Sequence, residues 1–424
     1  MLQIDHVYEF LYQELFKDFV FWSIPNGVPK LENINIFDIT VFTHNKVLFR
    51  KFFFYDQEPV IPKISDRYMD MFTWDDNFTV DELVHMAKTN SFPYDIKIDD
   101  ISAIDHIVSL IKQKSGKSLN VLVTSEFSND VDSTLSRYNL KKLYYFFHGF
   151  AALDWYRGYY ALNSNKSIVK QYSYDFISFN RIINNDRSYR IYFVSLLKEQ
   201  GLLNHGQVSF NVTDNLFDDW QDETADPNSK LSEQAKRHAE QHLVNIDKLI
   251  IDQAELPGSA SADIPRTITG LYGPKLDSFW HVVTETVFYY EKLHLTEKIF
   301  KPIVSKQPFM LLAAPGNLAY LRSYGFKTFD GIIDESYDNI TDNDKRIEAV
   351  VEQLHWYCNL SDQEKTNVMR AVEPIILHNF HHFYGEFKHI ITKELLTNTK
   401  TVFQDIIYDD SHIDYDSIYH ILTH

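Results

Sequence analysis

The chain has 424 residues, a formal net charge of −18, and 44% hydrophobic against 24% charged residues. At roughly 100–200 residues per domain this reads as two or three folded domains and excludes a disordered tail. The acidic balance excludes a protein that coats nucleic acid through a general basic field, and the single Cys358 excludes an internal disulfide or a cysteine-rich zinc site. No apolar run reaches the roughly 18–20 residues of a membrane span. The opening MLQIDHVYEFLYQ lacks the basic-then-apolar pattern of a signal peptide. The expectation is a reducing cytoplasmic location with no membrane partner.

In chain order, Val47–Phe54, Ser118–Thr124 and Leu143–Phe147 have the length and the β-branched or aromatic content of buried strands, with a helix over Ile104–Lys114. A second series begins near Tyr172 with a strand at Asp175–Phe179. An amphipathic helix follows from about Arg187 to Gln200, closed by Gly201. Gln207–Asn211 reads as the next strand. The stretch Thr213–Arg266 is acidic, then helical, then loop-like, and reads as an insertion. Ser278–Glu285 is a strand, and Thr296 caps a helix over Glu297–Lys306. PFMLLAA is a strand, and a helix NLAYLRSY follows Gly316 and ends at Gly325. Helices close the series over Asn343–Leu360 and Asp362–Phe387.

Alternating strands and helices predict an α/β protein with two Rossmann-like domains facing a cleft. The expected division is 1–170 as an acceptor domain, 171–395 as a donor domain with the insertion 213–266, and 396–424 packing back on the first domain. Ligands of such sheets bind beyond the carboxyl ends of the strands.

Three features point to chemistry at those ends. Thr296-Glu297-Lys298 places exposed N–H groups, an acid and an ammonium together at a helix start, which suits a phosphate with a ribose beside it. Arg181, Arg187 and Arg190 crowd the start of another helix, where cations oppose the helix dipole unless an anion sits there. In the first domain, Asp56, Glu58, Glu126 and His148 each follow a strand, where a general base would face the cleft. Glu58 and Asp56 rank first, in a polar turn before Pro59, then Glu126. His148 and Trp155, in an aromatic segment, could contact an acceptor sugar or base.

Other signals carry less. Ser115-Gly116-Lys117-Ser118 has Ile111 where a phosphate loop needs its first glycine. His378, His381 and His382 share a helix without a metalloprotease pattern. There is no GxSxG and no GxGxxG.

The segment LTEKIFKPIVSKQPFMLLAAPG resembles the donor-binding segment of the α-1,3-fucosyltransferase family. FISFNRIINNDRSYRIYFVSLLKEQGLLNHGQVSF resembles that family's earlier motif, with Arg190, Phe193 and Leu197 at its spacing. The resemblance implies the glycosyltransferase-B architecture. It implies that Glu297 holds the ribose and Lys298 the diphosphate of a sugar nucleotide, with Arg190 on the donor phosphates and Arg181 and Arg187 as near alternatives. The Ala313-Ala314-Pro315-Gly316 strand end departs from the family, so fucose itself is not implied. The same segments resemble glycosyltransferase-like products of tailed phages. The implied activity is metal-independent transfer of a sugar from a UDP- or GDP-type donor, with no resident cofactor. The acceptor would be a glycan, a small hydroxylated molecule or a hydroxymethylated base of phage DNA, placing the enzyme in DNA modification. The alternative is a non-catalytic sugar- or nucleotide-binding or assembly protein that keeps the fold.

Overall fold

The computed structural model describes residues 121–124, 127–129, 141–156, 159–164, 172–180, 182–183, 185–210, 220–247, 277–289, 291–405 and 413–423. It also describes the isolated positions 132, 136 and 249 and four two-residue strand segments before residue 50. The protein is mixed α/β, with a four-stranded parallel sheet and many helices. Two compact units divide the chain: Met1–Asp154 with Lys388–His424, and Trp155–Phe387. Among the described residues no helix is long and apolar enough to cross a membrane.

The second unit holds the sheet. Its strands are β1 (Tyr174–Asn180), β2 (Gly206–Phe210), β3 (Ser278–Thr284) and β4 (Phe309–Leu312). They pair in the order β4-β3-β1-β2, all parallel. All seven residues of β3 are buried, as a central parallel strand covered on both faces requires. Its SFWHVVT run is the near-continuous apolar pattern that such a strand shows.

Between β1 and β2 runs helix α1 (Tyr189–Glu199), buried from Tyr189 to Leu197 and hence apolar on nearly every face. Gly201 follows it at φ +71°, the left-handed conformation that lets the chain turn back into β2. Gly206 opens β2 because a side chain there would collide with the ring of Phe176. Within the expected insertion, Ser232 caps helix α2 (Glu233–His242), which lays Ala235 and Ala239 inward.

Beyond β3 come α3 (Phe300–Val304), α4 (Asn317–Ser323), α5 (Asn343–Cys358) and α6 (Asp362–Tyr384). Asp342 caps α5, and Ser361 with Glu364 forms a capping box at the start of α6. The core under β3 is aromatic: Trp280 meets Phe329 and Tyr357 edge-on, and Phe279 stacks on Tyr357.

In the first unit, Val121–Thr124 and Lys141–Tyr144 pair in parallel, and Phe42–Thr43 pairs with Lys46–Val47 antiparallel. A helix runs from Phe147 to Trp155. Leu143–Phe147 was expected to be a strand. The strand instead lies earlier, at Lys141–Tyr144, and the aromatic run turns into the helix. Asp362–Phe387 is not one helix either. It breaks at Gly385, and a new helix covers Phe387–Asp405. Most of the expected strand Val47–Phe54 and the expected helix Ile104–Lys114 lie outside the described residues.

One core residue makes stability depend on pH. His281 is buried in β3, and burial, with the Lys301 ammonium adding to it, pushes its imidazole down to about 3. A histidine in the unfolded chain titrates near 6.5. Below that pH the unfolded chain takes up a proton that the folded chain refuses, so this residue removes about 1.4 kcal/mol per pH unit as pH falls. Burial pushes the carboxyls of Glu335, Asp338 and Asp344 up, and these act in the opposite direction across the carboxylate range. The expected result is that His281→Gln flattens the loss of denaturant stability between about pH 6.5 and 5, the window that opens at the unfolded value. Identical pH profiles for the two proteins would show that His281 does not resist protonation.

Candidate functional site at the strand carboxyl ends

The strand order reverses direction at β1. The chain steps from β1 to β2 on one side, then returns to place β3 on the other. The crevice between the carboxyl ends of β1 and β3 is therefore the topological switch point, where open α/β sheets bind ligands. Thr284 ends β3, and its hydroxyl donates to the Phe179 carbonyl of β1 at 2.9 Å, tying the two strand ends together.

Arg190 strengthens that tie. It is almost wholly buried. Its Nη2 donates to the Thr284 carbonyl at 2.7 Å and its Nη1 to the Ile182 carbonyl at 2.9 Å. The two terminal nitrogens thus hold backbone just past β1 and at the last residue of β3. Tyr189 adds to the tie by donating to the Glu285 carbonyl at 2.5 Å. Burial pushes its phenol up, which keeps that proton in place. Arg187 lies half-buried in the short turn Asn185–Arg187 before α1.

Glu285 follows β3 and is fully buried. Its carboxylate accepts from the backbone N–H of Thr286 at 3.2 Å, the N–H of Thr296 at 3.1 Å and the Thr296 hydroxyl at 2.5 Å. It thereby anchors the loop that returns to Thr296-Glu297-Lys298 against the strand end. Asn317 fixes the same loop from the other side, accepting from His294 N–H and donating to the Lys292 carbonyl.

The Glu297–Lys298 pair sits on this anchored turn. Glu297–Ile299 is a 3-10 turn that runs directly into the five-residue α3, so the helix expected over Glu297–Lys306 begins in 3-10 geometry and ends at Val304. So short an element carries little macrodipole, and attraction for an anion falls to the ammonium of Lys298. Lys298 Nζ lies 3.0 Å from Glu297 Oε1 and 3.1 Å from Thr296 Oγ1. Its side chain is 35% exposed, whereas that of Glu297 is 7% exposed. The acid is held inside, and the lysine side chain is partly exposed. Lys301 lies one turn on, its ammonium 4.2 Å from the centre of the Phe179 ring.

A further helix start at this edge is already occupied. After β4, the Asp338 carboxylate accepts from Leu318 N–H at 3.1 Å and from Ala319 N–H at 3.4 Å, capping α4. An anion of the protein itself fills that position.

The fold thus brings together Arg190, Thr296, Glu297 and Lys298 around the ends of β1 and β3. Glu285, Asn317 and Asp338 were missed in the sequence. For Glu285 the signal was present: an acid ending an otherwise apolar strand. For Asp338 none was, because its partners lie about twenty residues earlier along the chain. Asp56, Glu58, Glu126 and Arg181 lie outside the described residues. His148 was expected in a loop after a strand. It is the second residue of the helix Phe147–Trp155 and is fully buried, because the strand before it ends at Tyr144. Trp155 closes the same helix.

Comparison with protein-family models, with curated proteins and with solved structures gives no match.

Proposed function

We propose that the chain is a glycosyltransferase of the two-Rossmann-domain, glycosyltransferase-B type, moving a sugar from a nucleoside-diphosphate donor to an acceptor hydroxyl. The observation that carries the reading is the anchored Thr296-Glu297-Lys298 turn beside the switch point between β1 and β3. A buried acid next to a partly exposed lysine suits a ribose diol next to a diphosphate. The resemblance of the same residues to the fucosyltransferase donor segment supports it.

In the reaction the acceptor oxygen attacks the anomeric carbon, the bond from that carbon to the diphosphate breaks, and the diphosphate leaves with the electron pair. Lys298 stabilises the charge developing on that leaving group. The acceptor proton passes to a carboxylate of the first domain, with Glu58, Asp56 and Glu126 as the candidates. UDP- and GDP-sugars are the donors to try. A glycan, a small hydroxylated molecule and a hydroxymethylated DNA base are the acceptors, and Trp155 is the residue proposed to stack on the acceptor. No resident cofactor or metal is invoked for the transfer.

The test is a thermal-shift screen against nucleoside diphosphates and their sugars. A matching donor at 100 times its dissociation constant is expected to add about 2.7 kcal/mol of stability. An enzyme would also hydrolyse that donor slowly without acceptor, whereas a binding protein of the same fold would be stabilised and leave it intact. No shift with any nucleotide would remove the reading.

A further inference from the structure

At the far end of α1 from the switch point, two histidines and a glutamate converge. His238 and His242 are four residues apart on α2, so they share one helix face. Their rings stack with centroids 4.3 Å apart. Ala235 and Ala239, both fully buried, let α2 approach its neighbours closely. Glu199, the last residue of α1, points its carboxylate at both rings. Oε2 is 3.1 Å from His238 Nε2 and Oε1 is 3.8 Å from His242 Nε2. The three ligand atoms all lie within 4.8 Å of one another.

The contacts around His238 fit a cation between these groups. Ser195 Oγ lies 2.7 Å from the Tyr192 carbonyl and 2.8 Å from His238 Nδ1. With Nδ1 held there, the other ring nitrogen, Nε2, faces a Glu199 carboxylate oxygen at 3.1 Å. A ring nitrogen held by an oxygen of the protein, as Nδ1 is, is the usual support behind a metal-binding histidine. Bonds of roughly 2.0–2.2 Å to a tetrahedral ion separate its ligands by roughly 3.3 Å, and the two observed separations bracket that value.

We infer that Glu199, His238 and His242 bind one divalent transition-metal ion of the zinc type. Two imidazoles with a carboxylate select such an ion over magnesium or calcium, which take oxygen ligands. Three protein ligands on a partly exposed surface leave a fourth position for water. The ion clamps α2 to the end of α1. Nine residues of helix, about 14 Å, separate Glu199 from Arg190 at the switch point, so the site is independent of the proposed donor site.

The full chain, stripped with a chelator, is titrated with Zn²⁺ by calorimetry and with Co²⁺ by visible absorption. One zinc per chain is expected, with a rise in the thermal midpoint and a four-coordinate cobalt spectrum. Ser195→Ala is expected to weaken zinc binding by roughly 10–100-fold, the scale for losing an outer-shell partner. His242→Ala and Glu199→Gln should weaken it further, while His355→Ala, on the surface of α5, leaves it unchanged. Glu199 and His242 are partly exposed, and circular dichroism of the metal-free variants confirms their fold. Absence of zinc binding would mean that a proton, as an imidazolium–carboxylate pair, fills the gap, and would overturn the proposal. Binding undiminished in both His242→Ala and Glu199→Gln would overturn it equally.

Discussion

Lys298→Ala is expected to keep its fold and to lose roughly 10²–10³ in kcat, the scale for removing one group that stabilises transition-state charge. The Lys298 side chain is 35% exposed, and its ammonium makes its contacts within its own turn, to Glu297 and Thr296. Removing it leaves the Glu285 anchor of that turn intact. The thermal midpoint of the free protein should therefore stay close to that of the wild type, while the shift caused by the donor shrinks. The measurement is donor hydrolysis, followed by transfer once an acceptor is found. A fall in kcat with little change in KM would assign Lys298 to the transition state, and a rise in KM alone would assign it to ground-state binding. Full turnover would remove Lys298 from the mechanism. Loss of activity together with loss of fold would make the turn structural.

The parts of this site legible in the sequence are those set by local pattern. The largely apolar run Ser278–Thr284 is a buried strand because no polar face is needed in the middle of a parallel sheet. Gly201 ends α1 in the left-handed conformation that glycine adopts without cost. Thr296 opens its turn as a cap residue does. What was illegible depends on partners distant in the chain. Arg190 reads as a helix-start cation, and only the fold brings the carbonyls of Ile182 and Thr284 to its guanidinium. Asp338 reads as a surface acid until α4 arrives above it. The segment Leu143–Phe147 was misplaced because Tyr and Phe favour strands locally, and burial inside the helix Phe147–Trp155 overrides that preference. The pair His238 and His242 could be seen as one helix face, but Glu199 and Ser195, which complete it, come from another helix.

Glu285→Ala should be the most damaging single change near the site, costing roughly 3 kcal/mol or more of folding stability. The substitution leaves the N–H groups of Thr286 and Thr296 without their acceptor in a fully buried place. Each such orphaned donor costs about 1–3 kcal/mol. It also deprives the Thr296 hydroxyl of its acceptor and opens a void beneath the turn. For a unit of this size the loss corresponds to a midpoint lowered by roughly 6–12 °C. Glu285→Gln keeps one acceptor oxygen and nearly the same volume, so its thermal cost should be smaller. That variant separates two roles. If Glu285 acts by fixing the Thr296–Lys298 turn, Glu285→Gln folds, loosens the turn and lowers kcat while Lys298 is still present. Combining Glu285→Gln with Lys298→Ala should then cost less than the sum of the two single losses, because the second change removes what the first had misplaced. Additive losses would mean that Glu285 and Lys298 act separately, and that the carboxylate anchors the fold without positioning the ammonium.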